Sequence, residues 1–277
     1  MKTKHILLMA SSLIAASVLS SKVAAHDRWI LPNEFNVSAE GSKGVWITSD
    51  VTAGNQVFVF DKPFGSEDIE IITPKGKKAY PSSSYRGSRK SVFDYQLTET
   101  GTYRFQKETS AKYYSRYKMK GSDKPVRTRV DKLATKAMMP KGAYDLEGAL
   151  YFSRVETYVT LNTPNDAAFK PTNQYLELLP ITHPADIVEK NDTEFKLLFN
   201  GKPVKNAEVS IVREGTLYRN QIEAIEVKSD NKGIVSFIPQ EAGRYLLHAT
   251  YEKELKDNAL ADKMVNTLFL TFEAGLE

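Results

Sequence analysis

Histidine is scarce in this chain, which has four histidines and no cysteine. Three of the histidines, His26, His183 and His248, follow residue 25. Without cysteine the chain can form no disulfide, thiolate metal site, haem attachment or cysteine nucleophile. Imidazole nitrogens suit first-row transition metals such as copper, nickel, cobalt and iron. The residue types therefore favour metal binding by histidine, with oxygen donors completing the site.

Residues 1–25 have the organisation of a secretory signal peptide. Two lysines precede the apolar run ILLMASSLIAASVL, which is too short to span a bilayer as a stop-transfer helix. Small residues then stand before a cut between Ala25 and His26. The sequence predicts an exported, periplasmic protein with no stable membrane insertion after cleavage.

Cleavage after Ala25 would make His26 the N-terminal residue, which changes its chemistry. The α-amine and the imidazole Nδ1 of such a residue close a six-membered chelate ring on one metal ion. Both groups lose their protons at small cost near neutral pH, because their unperturbed pKa values are about 7.7–8.0 and about 6.5. The order HDR lacks a histidine at the third position, so the square-planar amino-terminal copper and nickel motif is absent. At least one further ligand must come from elsewhere.

Several side chains could supply that ligand. His183 stands in LLPITHPADIV. It could face the N-terminus across a domain interface or lie exposed in a linker, and the sequence is compatible with both interpretations. His248, in GRYLLHATY, alternates with neighbours on one strand face, which favours a hydrogen-bonded structural role. The carboxylates of Asp27, Asp50 and Asp61 are further candidates near strand ends.

Charge and motif content narrow the classes of function. Removing residues 1–25 takes away three lysines, so 35 basic residues face 34 acidic ones and the net charge is about +1. This balance does not favour nucleic acid as a partner. The sequence contains no GxSxG, HExxH, P-loop or GxGxxG motif in a suitable context, so we predict that the protein is not an enzyme.

The rest of the chain is typical of an all-β protein. Strand-like runs such as GVWITSDVT and SVFDYQLT recur about every ten residues between turn-forming residues. The similar endings ETGTY and EAGRY indicate two antiparallel β-sandwiches of immunoglobulin-like or prealbumin-like type. A boundary in LNTPNDAAFKPTNQ gives an N-terminal domain, residues 26–173, and a C-terminal domain, residues 174–277.

The first domain carries an insertion. Residues 107–132 hold nine Lys or Arg and three Asp or Glu, interleaved with tyrosines, around the turn KGSDKP. This pattern predicts a protruding hairpin. DKLATKAMM, residues 131–139, is the best helix candidate and is ended by a proline.

Five segments in order resemble a family of exported bacterial proteins. They are AHDRWILP, SVFDYQLTETGTYRF, RVETYVT, LELLPITHPADIV and FNGKPVKNAEVSIV. Members of that family are described as periplasmic components of cobalt or nickel uptake systems. The resemblance covers essentially the whole chain after residue 25.

The resemblance also implies ligand positions. The opening His-x-x-Trp pattern is matched by His26 and Trp29, the His-Pro of the second half by His183, and an early-strand aspartate by Asp50. Members often carry another histidine after the strand that ends in YFD. In this chain VFDKPF places Lys62 there, which leaves the implied site with few nitrogen ligands.

The leading hypothesis is a periplasmic protein that binds a divalent transition metal through His26, His183 and Asp50 and assists metal uptake or handling. Nickel or cobalt follows from the resemblance, while copper and iron stay open. The expected partners are the metal ion and an envelope transporter or receptor component. One alternative is a metal-free module whose hairpin, residues 107–132, binds an envelope protein or a glycan. Another is an oxidative enzyme with an N-terminal histidine brace, which needs His183 or His248 beside His26.

Overall fold

A computed structural model describes residues 26–41 and 43–277; the predicted signal peptide, residues 1–25, lies outside the described residues. The described part consists mainly of β-strands. In chain order they are β1 (Asp27–Pro32), β2 (Asn36–Val37), β3 (Val45–Gly54), β4 (Lys62–Pro63), β5 (Glu70–Ile72), β6 (Lys78–Ala79), β7 (Ser83–Arg86), β8 (Ser91–Leu97), β9 (Gly101–Met119), β10 (Val126–Thr128), β11 (Ala143–Leu161), β12 (Leu176–Pro180), β13 (Thr193–Phe199), β14 (Lys202–Pro203), β15 (Glu208–Arg213), β16 (Ile225–Lys228), β17 (Ile234–Phe237), β18 (Gly243–Glu254) and β19 (Lys263–Ala274).

Helices are few and short. The α-helix α1 spans Lys132–Met138, and 3-10 turns cover Ala167–Phe169, Pro184–Asp186 and Thr216–Tyr218. The Asp131 carboxylate accepts a hydrogen bond from the Ala134 backbone N–H and caps the first turn of α1. Across the described residues, no helix has the length and apolar character needed to cross a membrane.

One large sheet runs through both halves of the chain. Its strands lie in the order β16-β15-β18-β19-β11-β9-β5-β6, with β10 added to β9 and β2 added to β11. The long strands β9 and β11 form its antiparallel centre. Strand β11 also pairs in parallel with β19, from Ala149 beside Lys263 to Thr157 beside Thr271. This parallel pairing joins the two predicted domains through a continuous backbone hydrogen-bond ladder.

Two smaller sheets cover opposite faces of the central sheet. The front sheet contains β1-β3-β8-β7 with β4, and the back sheet contains β12-β13-β14 with β17. Side chains alternate across a strand, and along β19 Phe269 packs in the front core while Leu268 and Leu270 pack in the back core. The front core is built around Trp29, which is fully buried.

The predicted fold class is confirmed: the protein is all-β and built from packed sheets, with one short helix in the described part. The hairpin is present, because β10 pairs back onto the outer end of β9. Helix α1 follows it and ends before Pro140, as the sequence predicts. The boundary between residues 173 and 174 stays a prediction, and the pairing of β11 with β19 crosses it.

Candidate functional site

Two strands place the start of the described chain beside residues 61 and 62. β1 pairs with one edge of β3, with Asp27 opposite Gly54, and β4 pairs with the other edge, with Lys62 opposite Ala53. Gly54 leaves the space that β1 needs, because a Cβ there would lie 2.9 Å from Trp29 Cη2. The side chain preceding β1 can therefore reach the start of β4 around the end of β3.

His26 occupies that position and uses one ring nitrogen for two contacts. Its Nε2 lies 3.4 Å from Asp61 Oδ2 and 3.0 Å from Lys62 Nζ. One third of the His26 side chain is exposed, so solvent and ions can reach the imidazole. We call His26, Asp27, Asp61, Lys62 and His248 the N-terminal cluster.

The two neighbours of His26 favour opposite forms of its ring. The Lys62 ammonium can only donate, so its contact needs a lone pair on Nε2 and puts the proton of a neutral imidazole on Nδ1. The Asp61 carboxylate accepts, so it favours a proton on Nε2 and a lone pair on Nδ1. Only the second form can bind a metal through Nδ1. Asp61 therefore supports a chelate at Nδ1, and Lys62 opposes it.

His248 joins the cluster through the residue after His26. Its Nδ1 lies 3.2 Å from Asp27 Oδ1, and its Nε2 lies 3.2 Å from Thr250 Oγ1. The ring also stacks on Phe269, with 4.3 Å between ring centroids. Both ring nitrogens have protein partners, which agrees with the structural role that the strand alternation favours.

His183 lies elsewhere. Its Nδ1 accepts a hydrogen bond of 3.0 Å from the Ala185 backbone N–H, and its Nε2 lies 3.1 Å from Thr102 Oγ1. The ring packs against Phe169, which itself packs on Tyr158 in the back core. His183 is thus a bonded side chain on the back face, whereas His26 adjoins the front sheet.

Asp50 is also held apart from His26. It pairs with Leu31 in the β1–β3 ladder, five residues along the strand from His26. At about 3.3 Å per residue that offset is about 16 Å, whereas a metal–ligand bond is about 2 Å long. The Asp50 carboxylate instead lies 2.7 Å from Lys90 Nζ.

The structure therefore does not bring the three predicted ligands, His26, His183 and Asp50, together. Within residues 26–41 and 43–277, no group of three or more His, Cys, Asp or Glu side chains is arranged to hold a metal ion. A histidine brace would need a second histidine beside His26. In the described residues, the ring nitrogens of His183 and His248 instead make hydrogen bonds or ion-pair contacts with other protein groups. At the N-terminus, the His26 imidazole has the Asp61 carboxylate against its Nε2.

The sequence contained one signal for this neighbourhood. Lys62 stands where the resembling family often carries a histidine, and the structure places Lys62 against His26. The contact with Asp61 had no separate signal, because carboxylates near strand ends are common. The pairing of β4 with the end of β3 is what selects Asp61 among them.

A second set of ionisable groups is buried between the central sheet and β12. Arg154 is fully buried, and its guanidinium lies 3.2 Å from Glu177 Oε1 and 2.6 Å from Glu108 Oε1. Burial raises the pKa of the neighbouring Glu156 carboxyl and of the Tyr158 hydroxyl. These groups belong to β9, β11 and β12, so their contacts connect the central sheet to the back sheet.

Comparison with known proteins settles the family. A family model described as "Domain of unknown function (DUF4198)" matches residues 23–253, which is most of the chain. The chain belongs to the DUF4198 family. No curated protein matches the sequence.

Solved structures give weaker matches to this DUF4198 chain. The D0-D1 domain of intimin is 13% identical, with 88% of this chain and 96% of that chain covered and a TM-score of 0.24. The FN1-FN3 domains of chicken CNTN1 are 9% identical, with 85% and 96% covered and a TM-score of 0.23. The tandem V-type regions of VCBP3 are 10% identical, with 88% and 98% covered and a TM-score of 0.21.

Proposed function

We propose that this DUF4198 chain is a periplasmic, non-enzymatic protein that binds a divalent transition metal at its N-terminus. It would deliver or buffer the metal for a nickel- or cobalt-type uptake system through a transporter or receptor component of the envelope. The observation that carries the proposal is the contact between His26 Nε2 and Asp61. A metal-binding histidine commonly donates its second ring N–H to a carboxylate in this way.

The chemistry requires export and cleavage before His26. The freed α-amine and Nδ1 of His26 would then form the chelate, while Asp61 accepts the Nε2–H and fixes the ring. The Asp27 carboxylate contacts the His248 ring, so it stays beside the chelate and is not required as a ligand. Nitrogen donors without a thiolate suit nickel, cobalt and copper, and iron is not disfavoured by the donor types.

The small donor set fits transfer better than storage. Two nitrogens from one residue leave most coordination positions to water or to a second protein. The Lys62 ammonium, 3.0 Å from the same ring, adds a repulsive charge near any bound cation. Such a site exchanges its metal readily, which suits delivery to an envelope partner.

The position of the α-amine provides the test. We would compare the protein with its natural His26 terminus, the same protein with one extra N-terminal glycine, and a His183→Ala variant. Affinities for nickel, cobalt and copper would be measured by isothermal titration calorimetry at neutral pH. The glycine extension should lose most of the affinity, and His183→Ala should keep it. Equal affinities for the natural and extended termini would refute the N-terminal chelate.

A further inference from the structure

The outer part of the central sheet presents an exposed surface that carries both aromatic rings and positive charge. Tyr114 of β9 and Tyr151 of β11 are 38% and 42% exposed. Their ring centroids are 5.5 Å apart at 88°, an edge-to-face pair. Lys112 pairs with Tyr151 in the β9–β11 ladder, and Arg129, which follows β10, lines the same cleft as Tyr114. We call these four residues the aromatic-basic surface.

A cleft of about 330 Å³ opens at this surface. It is lined by Lys112, Tyr113, Tyr114, Arg129, Val130 and Asp131. Small-molecule sites in proteins begin at about 300 Å³, so the cleft can take a unit the size of one or two sugar rings.

The positive charge of the surface is not neutralised within the described chain. The nearby carboxylates are already used: Glu147 lies 2.7 Å from Arg116, and Asp145 lies 2.6 Å from Lys118. Asp131 also lines the cleft and caps α1 through Oδ1, so the lining carries two cations, Lys112 and Arg129, and one anion. Lys112 and Arg129 form no ion pair with any residue in 26–41 or 43–277. They are therefore available to an external anion.

We propose that the aromatic-basic surface binds an acidic polysaccharide, with sugar carboxylates on Lys112 and Arg129 and a sugar ring against Tyr114 and Tyr151. The apolar C–H face of a pyranose packs on an aromatic ring, while its polar edge stays available for hydrogen bonds. Carboxylates make charge-assisted hydrogen bonds with ammonium and guanidinium groups, and guanidinium matches them in a bidentate manner. An acidic peptide would use the charges without needing the exposed rings.

The test measures binding of oligogalacturonate by isothermal titration calorimetry, with dextran as a neutral sugar and poly-glutamate as a polyanion that lacks sugar rings. A chelator is present throughout, so the outcome does not depend on the proposed metal site. The Lys112→Glu/Arg129→Glu variant removes the cationic partners. The Lys202→Glu/Lys205→Glu variant makes the same change of charge near β14, on the back sheet. Near-ultraviolet circular dichroism checks that each variant is folded.

We expect oligogalacturonate to bind, dextran to bind weakly, and charge reversal at the surface to lower the affinity by at least about tenfold. The control variant near β14 should bind as the natural protein does. Tyr114→Ala/Tyr151→Ala should also weaken oligogalacturonate binding, although it changes no charge. Poly-glutamate binding of equal strength that is insensitive to loss of the tyrosines would overturn the proposal, as would equal losses in the two charge-reversal variants.

Discussion

The Lys62 ammonium lies 3.0 Å from His26 Nε2, on the same ring nitrogen that faces Asp61 at 3.4 Å. A lysine donor and a carboxylate acceptor thus compete for one atom, and the winner decides which nitrogen of His26 carries the proton. Metal affinity at this N-terminus should therefore depend on two residues that do not themselves bind the metal.

Replacing Lys62 should strengthen metal binding. Lys62→Met removes both the donor that places the proton on Nδ1 and a charge that repels the cation. Lys62→Gln removes the charge but keeps an N–H donor, so it should give a smaller gain than Lys62→Met. Calorimetric titration with nickel and cobalt, on protein with the natural His26 terminus, checks the order Met, Gln, Lys. An unchanged affinity in both variants would contradict the tautomer argument.

Asp61→Asn should weaken metal binding. The amide is a poorer acceptor for the Nε2–H of His26, so the form that exposes Nδ1 loses its support. Loss of such an outer partner typically costs about 10–100-fold in metal affinity. Asp50→Asn is a matched control, because Asp50 pairs with Lys90 away from His26. A comparable loss of metal affinity in both variants would contradict this prediction, because the affinity would then depend only on the total negative charge.

His183→Ala should lower stability and leave metal affinity unchanged. The substitution removes the acceptor for the Ala185 N–H and the partner of Thr102 Oγ1. Unpaired polar groups of this kind cost about 1–3 kcal/mol in the free energy of unfolding. Urea denaturation measures the stability change and calorimetry the affinity. A large fall in metal affinity at unchanged stability would instead restore His183 as a ligand.

Breaking the buried pair of Arg154 and Glu177 should be strongly destabilising. Arg154 is fully buried and Glu177 is 1% exposed, so either charge left alone would lie in a medium that solvates it poorly. Arg154→Met leaves the buried Glu177 carboxylate without its cation and is expected to lower the free energy of unfolding by about 3–5 kcal/mol. The double variant Arg154→Met/Glu177→Leu should be more stable than Arg154→Met, because it removes that lone buried charge as well. Urea unfolding of the three proteins checks the order.

Glu156 should make the free energy of unfolding fall as pH rises. A carboxylate that is ion-paired at the surface has the opposite effect. Burial raises the pKa of its carboxyl in the folded protein, whereas the unfolded value is about 4.3. Between these two pKa values the native state binds more protons than the unfolded state, so the free energy of unfolding falls as pH rises. Glu156→Gln should lack this contribution. The difference in stability, variant minus natural protein, should therefore increase with pH across that window.

The local elements were predictable because each depends on neighbours in the chain. Alternation of apolar and polar residues predicted the strands, and the turn KGSDKP predicted the hairpin between β9 and β10. The segment DKLATKAMM before a proline predicted α1, and the structure adds that the Asp131 carboxylate caps its first turn. These features need no knowledge of which strands meet.

The buried charges could not be predicted in the same way. Arg154 and Glu156 stand on either side of Val155 in β11, and charged residues at alternate positions are the pattern of a strand with one face in water. The structure covers that face with β12 and the chain before it, and Arg154 finds Glu108 and Glu177 there. The sequence pattern is the same whether such a face is solvated or covered.

By itself the sequence determined the all-β class, the strand-forming segments, the hairpin, the short helix and the small supply of histidines. Only the tertiary structure decided that β11 pairs with β19 and that the smaller sheets cover opposite faces of the central sheet. It also decided that His26 contacts Asp61 and Lys62, while His183 and Asp50 lie apart from it. The reason is physical. Side-chain alternation fixes which residues share a face of a strand, but contacts between strands distant in the chain follow from the packing of whole sheets.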